Sequence, residues 1–185
     1  MATFGTDKIE PHRYFQSYVR IAAELGPSAR VCELGVLDGE SLRMWQALFP
    51  LGSVTGVDIN PDCPWPPGTV RVVAAHDDPH LPAMLGGTFD LIVDDGCHVG
   101  DVVRRSFALL WPLVRPGGYY VVEDWTVSLR AAERPGETWG QPWGDSMLRA
   151  VESFLPLLRY PDSECESVEY RYGLAIVRKR KGLPA

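Results

Sequence analysis

Two runs in the chain, Ile92-Val93 and Tyr119-Tyr120-Val121-Val122, are apolar at successive positions and lack the alternation of a strand with one wet face. Strands of that kind are covered on both sides, which requires helices above and below a mostly parallel sheet. The surrounding sequence provides both elements. Short β-rich runs are predicted at Arg30–Leu34, Ser53–Asp58, Thr69–Ala74, Phe89–Val93 and Tyr119–Glu123, most ending at or next to an acidic residue or a glycine. Between and before them, Tyr14–Leu25, Ser41–Phe49 and Gly100–Val114 carry apolar residues at helical spacing, as in Val103, Phe107, Leu110 and Val114. Pro50 stops the second of these, and Arg115-Pro116-Gly117-Gly118 is expected to turn the chain out of the third. Further on, Ser146–Leu158 has helical spacing, and Glu166–Arg171 and Gly173–Arg178 read as two more strands. The expected fold class is α/β, a doubly wound sheet in a single domain spanning residues 1–185.

Composition narrows the partners. With 185 residues, 45% apolar and 23% charged, the chain has enough material for one full core, which excludes disordered and fibrous architectures. Its 18 basic and 24 acidic residues leave a net charge of −6, a field that repels phosphate backbones and anionic lipid, so neither a nucleic-acid nor a membrane partner is expected. The start, MATFGTDKIEPHRYF, has no basic region followed by an apolar run, and no apolar stretch approaches the roughly 18 residues of a bilayer span. Cys32, Cys63, Cys97 and Cys165 are too scattered for a disulfide scaffold and lack CxxC spacing; they read as reduced thiols in a cytoplasmic protein.

The first strand runs straight into VCELGVLDGESLRMW (Val31–Trp45): a strand, a glycine-bearing turn and a helix start in succession. Gly35 and Gly39 permit close backbone approach, and the helix start near Ser41 leaves unpaired N–H groups facing the crevice. The spacing is ExGxxxGxS, not the GxGxxG that seats a pyrophosphate, so a cofactor without phosphate fits better. The second strand ends in GVDINPD, placing Asp58 about 20 residues past the turn, where a carboxylate can take both hydroxyls of a ribose. A glycine turn alone is more often plain fold geometry; Asp58 at this distance favours a binding site.

Strand four ends in FDLIVDDGCH and strand five in GGYYVVEDW, so Asp94, Asp95 and His98 leave one strand end and Glu123 and Asp124 the other. If the two strands are neighbours about 4.8 Å apart, four carboxylates converge on one sheet edge. A divalent cation relieves their repulsion most simply. Oxygen ligands with room for water indicate a hard ion, Mg²⁺ before Ca²⁺ or Mn²⁺, on Asp95, Glu123 and Asp124. Such an ion would chelate two adjacent substrate oxygens, and His98, a residue that titrates near neutral pH, would remove a proton from one; Asp95 and His98 are the catalytic candidates. Taken singly, Asp95 or Asp124 could instead cap a helix, and His98 could sit in a first helical turn. Capping leaves paired acids at two adjacent strand ends unexplained.

These stretches, with TDKIEPHRYFQSY (Thr6–Tyr18), SFALLWPLVRPGGYYVVEDW (Ser106–Trp125) and AIVRKRK, resemble the class I S-adenosylmethionine-dependent methyltransferases. The likeness is to the metal-dependent sugar O-methyltransferases of macrolide biosynthesis, the mycinamicin and macrocin type, with cephalosporin hydroxylase-like and rhamnosyl O-methyltransferase relatives also similar. It covers most of the chain outside Trp139–Leu158. The resemblance implies a Rossmann-like sheet of about seven strands with helices on both faces and the last strand antiparallel. From the residues themselves, a helical cap is expected over residues 1–28 and a substrate-side loop and helix over 134–158. S-adenosylmethionine would be held by Glu33, Gly35, Gly39, Ser41, Asp58 and Asp94, Mg²⁺ by Asp95, Glu123 and Asp124, with His98 as general base. Cys97 stands where many relatives have serine in DDGSH, and AAHDDP (Ala74–Pro79) replaces a GDQ-like segment, leaving Asp77 for the adenine amino group.

The expected activity is Mg²⁺-dependent methylation of a hydroxyl on a sugar or other vicinal diol of a natural product, a small-molecule acceptor. Such a displacement needs nucleophile, methyl carbon and sulfur in line, and neutral hydroxyls need help to ionise. A catechol or phenol acceptor is the first alternative; a catalytically inactive cofactor-binding scaffold in a biosynthetic complex is the second. The repelling acid pairs argue against the scaffold. Trp139 and Trp143, in the glycine- and proline-rich stretch RPGETWGQPWGD, either contact the acceptor or pin their loop, and Tyr14, Tyr18 and His12 either cover the cofactor or pack. A homo-oligomer is compatible with all of this.

Overall fold

The computed structural model describes residues 4–127, 129 and 146–182; the stretch Arg134–Asp145, with Trp139 and Trp143, lies outside them. The strands are β1 (Arg30–Leu34), β2 (Ser53–Asp58), β3 (Val70–Val73), β4 (Phe89–Asp94), β5 (Val114–Val122), β6 (Cys165–Arg171) and β7 (Leu174–Lys179). The helices are α1 (Phe15–Leu25), α2 (Glu40–Leu48), α3 (Leu81–Leu85), α4 (Gly100–Leu110) and α5 (Ser146–Glu152). The strands form one 7-stranded sheet in the order β3-β2-β1-β4-β5-β7-β6. β1 to β5 pair in parallel, and β7 runs antiparallel to both β5 and β6. The winding reverses between β1 and β4, so a crevice opens at their C-terminal ends, where ligands of open α/β sheets bind.

Alternation along the central strands divides the core into two layers. Cys32, Leu34, Ile92, Tyr120 and Val122 point to one face, packed with Leu81, Val103, Leu110 and Met147 of the helices there. Val31, Leu91, Val93, Tyr119 and Val121 point to the other, against Tyr18 and Ile21 of α1 and Leu42 and Trp45 of α2. Each large side chain buried in this way contributes about 1.5–3 kcal/mol. This two-sided burial is why these strands carry no polar alternation.

The structure departs from the sequence expectation at α3, which has no predicted counterpart, and in three longer stretches. The helix predicted over Gly100–Val114 ends at Leu110 and tightens into a 3₁₀ turn over Trp111–Leu113, because Pro112 has no N–H to continue the ladder. β5 begins at Val114, so Pro116-Gly117-Gly118 lies inside the strand. A register shift opposite Phe89 and Leu91, with Gly117 at φ +83°, absorbs it. Ser146–Leu158 divides into α5 and a 3₁₀ turn over Leu155–Leu158. All four cysteines are free, with only Cys97 exposed. Among the described residues no helix is long and apolar enough to cross a membrane.

Candidate active site

The parallel register sets Leu34 beside Asp94 and Asp94 beside Val122, so the residues just beyond β1, β4 and β5 meet at one edge. The chain leaves β1 through Gly35 at φ +91°, where a Cβ would stand 2.1 Å from the Asp95 carbonyl oxygen. Only glycine lets the β1 and β4 exits approach this closely.

At that edge lies a cation the sequence reading did not assign. Lys8 is 1% exposed, and its Nζ lies 2.5 Å from Asp95 Oδ2, 3.1 Å from Glu123 Oε1 and 3.2 Å from Glu33 Oε1. An ammonium has three N–H donors, and here each strand end supplies one carboxylate. Burial alone would lower the Lys8 pKa, but Asp95, Glu123 and Glu33 outweigh it and hold the ammonium well above its usual range. Burial pushes the Glu33, Asp95 and Glu123 carboxyls up, with Lys8 pulling in the opposite direction. Glu33 also accepts from Ser41 Oγ at 2.6 Å. Glu123 accepts a short hydrogen bond from the Tyr18 hydroxyl, so it is engaged by Lys8 and Tyr18 together.

The remaining acids face His98. Its Nε2 lies 4.0 Å from Asp95 Oδ1 and 3.9 Å from Asp124 Oδ2, and Asp95, His98 and Asp124 each offer a ligand atom within 4.8 Å of the others. The other Asp124 oxygen accepts from Tyr14 Oη at 2.6 Å. Burial, and next the Asp124 carboxylate, raise the Tyr14 phenol far above its ordinary pKa, so it stays a donor. His98 and Asp124 both adopt φ +52°, a left-handed backbone that costs roughly 1–2 kcal/mol in a residue with a side chain.

A cavity of about 770 Å³ joins these groups to the glycine turn. Gly35, Ser41, Asp58, Asp77, Asp95, His98 and Asp124 line it, together with Lys8 and His12. Asp58 accepts from the backbone N–H groups of Val36 and Asn60, both at 2.8 Å. Burial would raise its pKa, but these bonds prevail and hold the carboxyl below its usual range. Asp77 is paired with Arg105 at 2.8 Å. Glu33, Gly39, Asp94 and Glu123 are not among the described lining residues. Gly39 instead caps α2 at φ +77°, pressed against the Pro64 carbonyl. Asp94 accepts from Tyr120 Oη at 2.9 Å and lies 3.3 Å from His76 Nδ1.

Residues 32–125 match a family model described as a methyltransferase domain, just over half of the chain. The chain belongs to this methyltransferase family. It is a class I S-adenosylmethionine-dependent methyltransferase domain that resembles the mycinamicin and macrocin type. It is 39% identical over 130 residues to mycinamicin VI 2''-O-methyltransferase of Micromonospora griseorubida, covering 63% of this chain and 31% of that one. It is 33% identical over 147 residues to L-olivosyl-oleandolide 3-O-methyltransferase of Streptomyces antibioticus, covering 73% and 38%. Among solved structures, the MycE methyltransferase of mycinamycin biosynthesis, in complex with Mg, SAH and mycinamycin VI, superposes with a TM-score of 0.74 at 29% identity, over 95% of this chain and 52% of that one. The domain thus spans about a third of the length of these curated relatives.

Within the methyltransferase domain, the residues that sequence reasoning missed come mostly from the segment before α1. Lys8 pairs with three carboxylates, and Tyr14 and Tyr18 each donate to one acid at the end of β5. His76 is a further case: burial would lower its pKa, but the Asp94 hydrogen bond and Cys97 outweigh this and carry it to about 10. Two carboxylates with an adjacent imidazole suit a divalent cation, and the cavity beside Gly35 and Asp58 suits a nucleoside.

Proposed function

We propose that this domain carries a Mg²⁺-dependent O-methyltransferase activity toward a hydroxyl of a sugar or other vicinal diol on a small natural product. One observation carries the reading: a single cavity is lined both by the glycine turn with Asp58 and by Asp95, His98 and Asp124. Asp58 would bind the ribose hydroxyls of S-adenosylmethionine, with Gly35 and Ser41 against its methionine part and Asp77 on the adenine side. Asp95 and Asp124 would hold Mg²⁺, and Glu123 would join them on exchanging Lys8 or Tyr18 for the ion. When bound, S-adenosylmethionine supplies the methyl group and Mg²⁺ supplies the charge that eases ionisation of the acceptor hydroxyl.

The chain's own groups supply the rest. His98 Nε2, beside both Asp95 and Asp124, takes the hydroxyl proton. Tyr14 fixes the Asp124 carboxylate, and Lys8 fixes Asp95 against Glu33 and Glu123. The shared cavity brings acceptor and methyl donor together so that they can lie in line. One relative is by its name an O-methyltransferase of mycinamicin VI and another of L-olivosyl-oleandolide, which supports a glycosylated acceptor here.

The test is turnover with S-adenosylmethionine, Mg²⁺ and a panel of glycosides and catechols. Methylation of a glycoside that stops on adding EDTA and returns with excess Mg²⁺ is the expected result. Full activity in chelator removes the metal, and transfer to catechols alone removes the sugar acceptor.

A further inference from the structure

Two imidazoles flank one oxygen of Asp124: His98 Nε2 at 3.9 Å and His12 Nδ1 at 3.8 Å, both from Oδ2. The proposed reaction uses His98 and leaves His12 without a task. His12 Nδ1 is buried and has no hydrogen-bond partner among the described residues. Its nearest acids, Asp124 at 3.8 Å and Asp7 at 3.9 Å, are beyond bonding distance. Buried polar groups nearly always find a partner, so an orphan on a cavity wall points to a ligand. Other contacts already fix the residue: its backbone N–H donates to the Asp7 carbonyl at 3.1 Å, and its ring lies 5.1 Å from that of Tyr14. Among the described residues, His12 alone lines both the 770 Å³ cavity and a second one of about 640 Å³, bounded by Arg13, Tyr14, Gln16, Arg171 and Tyr172.

We propose that His12 reads the acceptor: its Nδ1 bonds the hydroxyl next to the one that is methylated, and the second cavity takes the remainder of the acceptor. This rests on the diol O-methyltransfer proposed above. A vicinal diol carries two oxygens on neighbouring carbons, and two imidazoles on a shared carboxylate can each meet one. An imidazole nitrogen donates or accepts, as a hydroxyl does. An acceptor lacking the second hydroxyl would leave Nδ1 unpaired, which discriminates against a deoxy analogue. In the second cavity Arg13 and Arg171 are each already paired with an acid, Glu10 and Glu169. Their remaining N–H groups suit the neutral carbonyl and hydroxyl oxygens of a glycosylated ring system better than an anion.

The probe is methyl 4-deoxy-α-L-rhamnopyranoside, which carries a single 1,2-diol, compared with the two analogues that each lack one of its hydroxyls. The wild type should methylate the diol with kcat/KM roughly 10–100-fold above the better analogue, the factor expected when one hydrogen-bonding group is left unpaired. His12→Phe should bring that ratio near one while Mg²⁺ and S-adenosylhomocysteine affinities, measured by calorimetry, stay as in the wild type. His12→Asn, which keeps a hydrogen-bonding group, should retain part of the preference. In the wild type loaded with Mg²⁺ and S-adenosylhomocysteine, the diol but not the analogues should shift the ¹⁵N resonance of His12 Nδ1, a readout that needs no variant. An unchanged ratio in both variants, an unmoved resonance, or a ratio that falls together with Mg²⁺ affinity overturns the acceptor contact alone. Absence of methylation of every probe by the wild type overturns the diol reading itself, and this inference with it.

Discussion

Lys8 Nζ lies 2.5 Å from the Asp95 carboxylate, a contact that joins the segment before α1 to the end of β4. Through Glu33 and Glu123 the same ammonium reaches β1 and β5. Three anions that would otherwise repel at adjacent strand ends therefore share one internal counter-ion.

Lys8→Met should destabilise the metal-free protein by about 3–5 kcal/mol, the usual consequence of leaving buried charges without their partner. Urea unfolding followed by circular dichroism measures this. A midpoint equal to that of the wild type would mean that the carboxylates take up protons or water without loss.

Tyr14→Phe removes the donor to Asp124 and leaves the ring in place. Mg²⁺ affinity should fall roughly 10–100-fold, as when an outer partner of a metal-ligating carboxylate is lost. S-adenosylhomocysteine affinity should not change; parallel titrations of both ligands separate this effect from general damage.

His98→Ala should lower turnover by about 10²–10⁴, the range of a lost general base, with S-adenosylhomocysteine bound as before. If cofactor affinity collapses and turnover per bound cofactor is unchanged, the imidazole serves binding and not proton transfer.

Gly35→Ala forces a side chain into φ +91° and against the Asp95 carbonyl oxygen. The backbone strain alone costs about 1–3 kcal/mol. Thermal unfolding should shift down, and the β1 and β4 exits should part enough to abolish S-adenosylhomocysteine binding in calorimetry.

The His76–Asp94 pair gives a pH dependence. The folded pKa of His76, about 10, stands above its ordinary 6.5, so the pair's stabilisation is complete below pH 6.5 and is lost as pH rises through 10. At about pH 6 the wild type should exceed His76→Gln by about 1.5–3 kcal/mol, as for a hydrogen bond to a charged group. In urea titrations that gap should close above pH 10, and a gap independent of pH would assign the loss to packing.

The sequence revealed the sheet because two-sided burial leaves its mark inside each strand, and β1 and β2 match the predicted bounds residue for residue. The acids were legible for the same reason: they directly follow those strands. What stayed hidden depends on long-range contact. Lys8 meets Asp95 across 87 positions, Tyr18 meets Glu123 across 105 and Tyr14 meets Asp124 across 110, and no local period records such pairings. Glu123 illustrates the consequence. Its neighbours in sequence favoured a metal ligand beside Asp124, whereas its neighbours in space include Lys8 and Tyr18, both drawn from the other end of the described chain.

The 110-residue interval between Tyr14 and Asp124 also sets an order of assembly. On the ribosome, residues 8–18 emerge long before β5 exists, so the Tyr14 and Tyr18 hydroxyls have no Asp124 or Glu123 to meet until the fifth strand has been made and threaded beside β4. The fastening of this segment to the end of β5 is therefore a late acquisition during biogenesis, and a nascent domain arrested short of Glu123 should lack both tyrosine contacts.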